Sequence, residues 1–308
     1  MKKHLLLLLL GLVCLAPLSA QETKEDYLRR YNNLVDRVGA DGLGVETLLN
    51  KWEAAWPEDV NQLLARFSFC FARSQSSRVV PMEQERYLGN PPLLPMKDSL
   101  GKKVNYFEVT DYDDALFAEA NTAIGKAIAT AQNRLDWQMA KISALMAYEK
   151  EKPEMMLQEL KALATFHYTR KPDWVHEQLG TVTPEQFEAI MQDYCAALFR
   201  INTPTALEAF KAFSEHLLSY KKDHPLFMDN LGSYYLVKKD YKKARKYYDQ
   251  VLKKHPGDMT ALKNSLLMAR TLKDVKLEKK YLALMAAHGE TETDRAGAQA
   301  RLDAYNRK

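Results

Sequence analysis

Apolar residues recur every three or four positions along most of the chain, from about residue 24 to residue 305. This spacing puts them on one face of an α-helix, and helix-start and helix-stop signals separate the periodic segments. Thr183-Pro184-Glu185-Gln186, for example, combines a capping box with a proline at the first helical position. The pattern predicts more than about 60% helix. We expect helices over residues 24–39, 44–56, 58–73, 112–131, 134–149, 153–167, 184–200, 204–220, 226–238, 241–254, 258–271, 274–287 and 292–305.

Residues 74–111 interrupt this pattern with a long, proline-rich segment. Within it, Leu94–Lys97 and Lys102–Phe107 flank the turn Asp98–Gly101, which predicts a single β-hairpin on a four-residue loop. A loop of this length in a compact domain is uncommon unless it has a function. Two interpretations stay open: a ligand-binding segment, or a flap that packs over the first helix pairs.

A second insertion, residues 168–182, contains Tyr168 and Trp174 among basic residues and a histidine. Aromatic and basic side chains on a loop are typical of binding hot spots, so Tyr168 and Trp174 are candidate binding residues. The alternative is that Trp174 is buried under the loop and anchors it.

The first 20 residues have the pattern of a secretory signal peptide. A short basic start precedes the apolar run Leu5–Leu15, and Ala16–Ala20 supplies a helix break and a small residue for cleavage after Ala20. The run is too short for a membrane-spanning helix, which argues against stable membrane insertion. Cys14 lies inside the apolar run without a lipoprotein motif, so we expect export without lipidation. The expected location is the periplasm, with outer-membrane association or secretion as alternatives.

One segment carries a repeat motif. Met228-x2-Leu231-Gly232-x2-Tyr235 is followed by Ala244-x3-Tyr248 and then by Pro256, which together resemble the tetratricopeptide repeat (TPR). Small residues are required where the two helices of a pair cross, and larger apolar residues fill the space around that crossing. Proline ends the second helix. The motif residues are Met228, Leu231, Gly232, Tyr235, Ala244, Tyr248 and Pro256.

The resemblance extends more loosely along the chain. It implies an all-α fold, a right-handed α-solenoid of about six TPR-like helix pairs over residues 21–290 with the β-hairpin insertion. A C-terminal capping helix would occupy residues 291–308, since a terminal repeat needs a polar outer face. Cys70 and Cys195 would then lie on helices two units apart, too far for a disulfide, and both thiols are expected to be free and buried.

Composition and motifs argue against several classes of partner and activity. The formal charge of +4 and the expected export argue against a nucleic-acid partner, and the basic stretch from Lys238 to Lys254 has the pattern of a solvated helix face. Hydrolase, metalloprotease, P-loop and dinucleotide-binding signatures do not occur in the sequence. The histidines and cysteines lack ligand spacing for a metal. We therefore expect neither an enzyme nor a cofactor.

The TPR resemblance implies a scaffold that binds a protein or peptide partner in a concave groove lined by the first helix of each pair. Asp229 and Ser233 occupy the groove-facing positions of the clearest repeat and are candidate binding residues. A carboxylate at Asp229 would repel the C-terminal carboxylate that chaperone-type TPR clamps bind, so another mode of binding is expected. Two alternatives stay open: a glycan-binding protein resembling SusD-like surface proteins, or an outer-membrane assembly factor. Both are usually lipidated.

Overall fold

The computed structural model of the protein describes residues 22–307, and the expected signal peptide, residues 1–20, lies outside them. This part of the chain is mostly helical, at 67% in thirteen helices, which confirms the predicted helix content. The helices are α1 (Lys24–Val38), α2 (Val45–Ala55), α3 (Val60–Arg73), α4 (Asp114–Thr130), α5 (Leu135–Glu149), α6 (Glu154–Arg170), α7 (Pro184–Ile201), α8 (Pro204–Tyr220), α9 (Pro225–Val237), α10 (Tyr241–Lys254), α11 (Met259–Thr271), α12 (Val275–His288) and α13 (Glu292–Asn306).

Most helices begin at a side chain that accepts a hydrogen bond from a first-turn amide. The capping box expected at Thr183 is present: the Thr183 hydroxyl accepts from the Gln186 amide, and the Gln186 side chain accepts from the Thr183 amide. Thr291 and Asp294 form the same box at the start of α13. Each box gives acceptors to N–H groups that would otherwise have none at the helix end.

The first insertion forms a three-stranded antiparallel sheet, so the prediction of a single hairpin was wrong. Strands β2 (Leu94–Lys97) and β3 (Lys103–Tyr112) make the expected hairpin, with five residues between them rather than the four predicted, and β1 (Gln75–Met82) pairs with β3 along eight residues. β1 begins with a polar run and contains a proline, so it lacks the apolar alternation that indicates a strand. β1 forms a strand because it pairs with the long strand β3, which buries Phe107 and Val109.

The second insertion contains two further strands, β4 (Val175–His176) and β5 (Gly180–Thr181), which pair antiparallel. Helix α6 continues to Arg170, so the segment without helix is shorter than expected. The sequence does not predict strands this short, because two residues cannot show a period.

Buried side chains form three clusters that follow one another along the chain. The first joins α1, α2, α3 and α4 around Trp52, whose indole N–H donates to the Asp59 carboxylate at 2.9 Å. The second spans α4 to α9, and the third spans α9 to α13. Helices contact their neighbours in sequence, and α1 with α3, α6 with α8, α7 with α9, and α9 with α11 also touch. The helices therefore pack largely in chain order.

The loop between β1 and β2 returns to the helices and packs on α5 and α7. Gly89, with φ of +80°, lies so close to α7 that an added Cβ would be 2.4 Å from the Arg200 carbonyl oxygen. Leu88 lines a small cleft with Met146 of α5 and Ala197 of α7. The insertion is thus a flap, but its tip contacts the middle of the helical array rather than the first helix pairs.

None of the helices between residues 22 and 307 has both the length and the apolar character that crossing a bilayer would require.

Candidate functional site

The TPR-like motif residues meet where α9 crosses α10. Gly232 faces the ring of Tyr248, and a Cβ built on Gly232 would lie 2.4 Å from Tyr248 Cε1. Ala244 and Tyr248 are fully buried there, with Met228 and Leu231 also in the interior. The absence of a side chain at Gly232 is what allows the Tyr248 ring to lie against α9. The remaining motif residues also lie at this helix pair: Tyr235 stacks on Tyr247, and Pro256 follows the end of α10.

A groove lies beside this crossing, between α9 and α11, and we call it the α9/α11 groove. Its volume is about 390 Å³. Two of its apolar side chains are strongly exposed, Leu267 at 56% and Val237 at 42%. Apolar side chains left in solvent at a concave site favour burial against a ligand. The groove is lined by Phe199, Ser233, Leu236, Val237, Lys239, Tyr241, Asn264, Leu267 and Thr271.

The polar groups in this groove are held by a short hydrogen-bond chain. Asn264 Nδ2 donates to Ser233 Oγ at 3.3 Å, and Ser233 Oγ lies 3.2 Å from the Tyr248 hydroxyl. Burial raises the pKa of Tyr248 above its ordinary value, so the phenol stays neutral. Ser233 therefore lines the groove, and this chain of neutral groups orients it.

Asp229 does not lie in the groove. Its side chain is buried, at 2% exposure, and neither carboxylate oxygen has a hydrogen-bond partner among the described residues. Burial, together with the nearby Asp258 carboxylate, raises the pKa of Asp229 to about 9. The carboxyl is therefore neutral at pH 7. The expected repulsion of a ligand carboxylate by Asp229 is wrong, because the side chain points into the protein.

The next residue, Asn230, links α9 to α7. Asn230 and Gln192 exchange two side-chain hydrogen bonds, of 2.8 and 2.9 Å. Paired amides of this kind satisfy each other when buried and fix the relative position of two helices. Sequence reasoning missed this pair, because the two residues are 38 positions apart and nothing in either helix pattern connects them.

Tyr168 and Trp174 are not part of the groove either. Trp174 is 1% exposed, its indole N–H donates to His167 Nδ1 at 2.9 Å, and its ring stacks on Phe187. It anchors the second insertion, as the alternative interpretation held, and is not an exposed binding residue. Tyr168 is half-buried and stacks on Tyr220 at 4.9 Å. Both residues pack in the middle core cluster, Trp174 against α6 and α7 and Tyr168 against α8.

Groups of three or more histidine, cysteine, aspartate or glutamate side chains that could hold a metal ion do not occur within residues 22–307. Glu188 of α7 is a buried carboxylate beside the middle cluster. Its carboxylate forms an ion pair with Lys221 at 2.7 Å, and its other oxygen lies 3.0 Å from Nε2 of His224, whose pKa is lowered by burial. These contacts connect α7 to the turn between α8 and α9, which is a structural arrangement.

No model of a known protein family matches the chain, and no curated protein sequence matches it. The interpretation of the α9/α11 groove therefore depends on its own residues and their geometry.

Proposed function

We propose that the protein is an exported, non-catalytic TPR-type scaffold that binds a protein or peptide partner in the α9/α11 groove. The proposal includes the right-handed solenoid of about six helix pairs, in which α7, α9 and α11 are first helices that line one concave face. The observation that supports it most directly is the groove, to which each of these three helices contributes side chains, with Leu267 and Val237 exposed to solvent.

The lining suggests how a partner would be held. Phe199, Leu236 and Leu267 provide apolar surface for one large side chain of the partner. Ser233 and Asn264 provide neutral hydrogen-bonding groups for its backbone. Acidic side chains are not among the groove residues, and Lys239 lies at its rim. A partner with a carboxylate next to its apolar anchor would fit this distribution of charge.

Site-specific crosslinking tests the proposal in the intact protein. A photoreactive amino acid at Leu267 reports on the groove, and the same residue at Leu43, which is 94% exposed in the connection between α1 and α2, is the matched control. We expect a discrete crosslinked partner from Leu267 that is absent from Leu43. Val237→Glu should remove that crosslink, because a charge in the apolar groove opposes burial of the anchor.

Two results would contradict this function. One is capture of the same proteins in equal amounts from both positions, since that indicates random collision. The other is an unchanged crosslink from Leu267 in the Val237→Glu background. Export is tested separately by N-terminal sequencing of the protein from its native host, where the first residue is expected to be Gln21.

A further inference from the structure

A second cavity lies at the other end of the chain, between α1 and α2, and we call it the α1/α2 cleft. Its volume is about 450 Å³. Its charged lining residues are all basic: Arg30 and Arg37 on α1, and Lys51 on α2. The full lining is Arg30, Asn33, Leu34, Arg37, Gly44, Thr47, Leu48 and Lys51.

Two of these three cations have no partner among the described residues. Arg37 and Lys51 make neither an ion pair nor a hydrogen bond there, whereas Arg30 is paired with Glu22. Helix α10 differs, since its Lys243 and Arg245 pair with aspartates on the same helix or its cap. Like charges in one cleft repel each other, so an anionic ligand would relieve that repulsion.

The start of α2 adds to the positive character of the cleft. Gly44 is the N-cap residue, with φ of +88°, and provides no side-chain acceptor for the first-turn amides. Helices α1 and α3, in contrast, are capped by Thr23 and Asp59. The Val45 amide already donates to the Gly42 carbonyl at 3.2 Å, and the first-turn amides after it present N–H donors at the positive end of the helix dipole. Gly44 and Thr47 both line the cleft, so this end of the helix is at the site.

The spacing of the cations indicates the shape of the ligand. Arg30 and Arg37 are seven residues apart on one helix face, which corresponds to about 10.5 Å along the axis. These two cations can therefore hold two anionic groups of one extended ligand. An extended peptide advances about 3.3 Å per residue and its side chains alternate between two faces, so carboxylates four residues apart lie on the same face, about 13 Å from each other and within reach of the flexible Arg30 and Arg37 side chains. Leu34 and Leu48 form an apolar floor between the charges, suited to an aliphatic side chain of that peptide.

From this arrangement we propose that the α1/α2 cleft binds an acidic peptide segment with two carboxylates four residues apart and an aliphatic residue midway between them. Arg30 and Arg37 hold the two carboxylates, Lys51 adds a third positive charge from α2, and the start of α2 donates hydrogen bonds to one carboxylate. This site is independent of the α9/α11 groove, so the failure of either proposal leaves the other standing.

The experiment uses the full protein and a fluorescein-labelled peptide, Gly-Glu-Ala-Leu-Ala-Glu-Gly, with its Gln-for-Glu counterpart, at low ionic strength. Anisotropy is expected to show binding of the Glu peptide and at least about tenfold weaker binding of the Gln peptide. The double variant Arg37→Gln/Lys51→Gln should weaken binding about tenfold or more. Both side chains are exposed, so the variant is expected to fold, which circular dichroism verifies.

The matched control is Lys242→Gln/Lys246→Gln, which removes the same charge from the exposed face of α10. We expect its affinity to equal that of the wild type. Equal losses of affinity in both double variants would show nonspecific attraction to net charge and would overturn the proposal. Absence of binding by the wild type would also overturn it. Tighter binding of a sulfated tetrasaccharide than of the peptide, lost in Arg37→Gln/Lys51→Gln alone, would assign the cleft to a glycan and also overturn it.

Discussion

Gly232 of α9 and Tyr248 of α10 are packed so closely that no side chain fits between them, since a Cβ on Gly232 would be 2.4 Å from Tyr248 Cε1. The phenol ring is fully buried, and its hydroxyl is connected through Ser233 to Asn264 of α11. One contact thus sets both the distance between α9 and α10 and the position of the polar groups in the α9/α11 groove.

Replacing Gly232 by alanine should destabilise the protein by about 1–3 kcal/mol, because the buried ring has to move. Gly125→Ala is the matched control, since Gly125 is also helical but has open space around its Cα. That change should be neutral or stabilising by up to about 1 kcal/mol through helix propensity. Urea unfolding of the three proteins measures the difference. Equal stabilities for the two variants would show that the contact at Gly232 is not tight.

Gly89→Ala should release the flap from α7. The new Cβ would meet the Arg200 carbonyl, and it would also occupy a left-handed backbone conformation. Gly101→Ala separates these effects, because Gly101 has nearly the same φ, +79°, and nothing within 4 Å. We expect trypsin to cut after Arg86 about tenfold faster in Gly89→Ala only, as local docking is weakened. If trypsin cuts Gly89→Ala and Gly101→Ala equally faster than the wild type, the cause would be backbone strain rather than the contact with Arg200.

Asp229→Asn should change how stability depends on pH. The folded pKa of about 9 is above the ordinary value of 3.8, so the folded state keeps a proton that the unfolded chain releases between these values. The stability linked to this proton is fully present below about pH 4 and is lost as the pH rises to about 9. Since asparagine does not titrate, the variant should gain stability relative to the wild type between pH 5 and pH 9. Urea unfolding at pH 5, 7 and 9 tests this, and parallel curves would contradict it.

Cys70 and Cys195 are free and buried in the structure, as the sequence predicted. They belong to different core clusters, and burial raises the pKa of each thiol to about 12. Protein lacking residues 1–20 should therefore react slowly with a thiol reagent at pH 8, because little thiolate is present. In denaturant without reductant, two thiols per chain should react. Finding none would mean that the two cysteines form a bridge and that the helices are arranged differently.

The sequence alone was sufficient for the parts of this protein that depend on local periodicity and end signals. Helical spacing of apolar residues predicted the thirteen helices, and the residues Asp98–Gly101 predicted the turn between β2 and β3. Thr183 and Gln186 predicted their own capping box. These features arise from interactions between residues a few positions apart, so they are visible in a short window of sequence.

Only the tertiary structure decided the rest, because it depends on contacts between distant segments. β1 forms a strand because β3 offers it a partner, although its own residues show no strand period. The local sequence pattern does not decide whether Trp174 and Asp229 face solvent or the interior. Packing buries both side chains. The α9/α11 groove and the α1/α2 cleft are spaces between helices, which exist only once those helices have packed against each other.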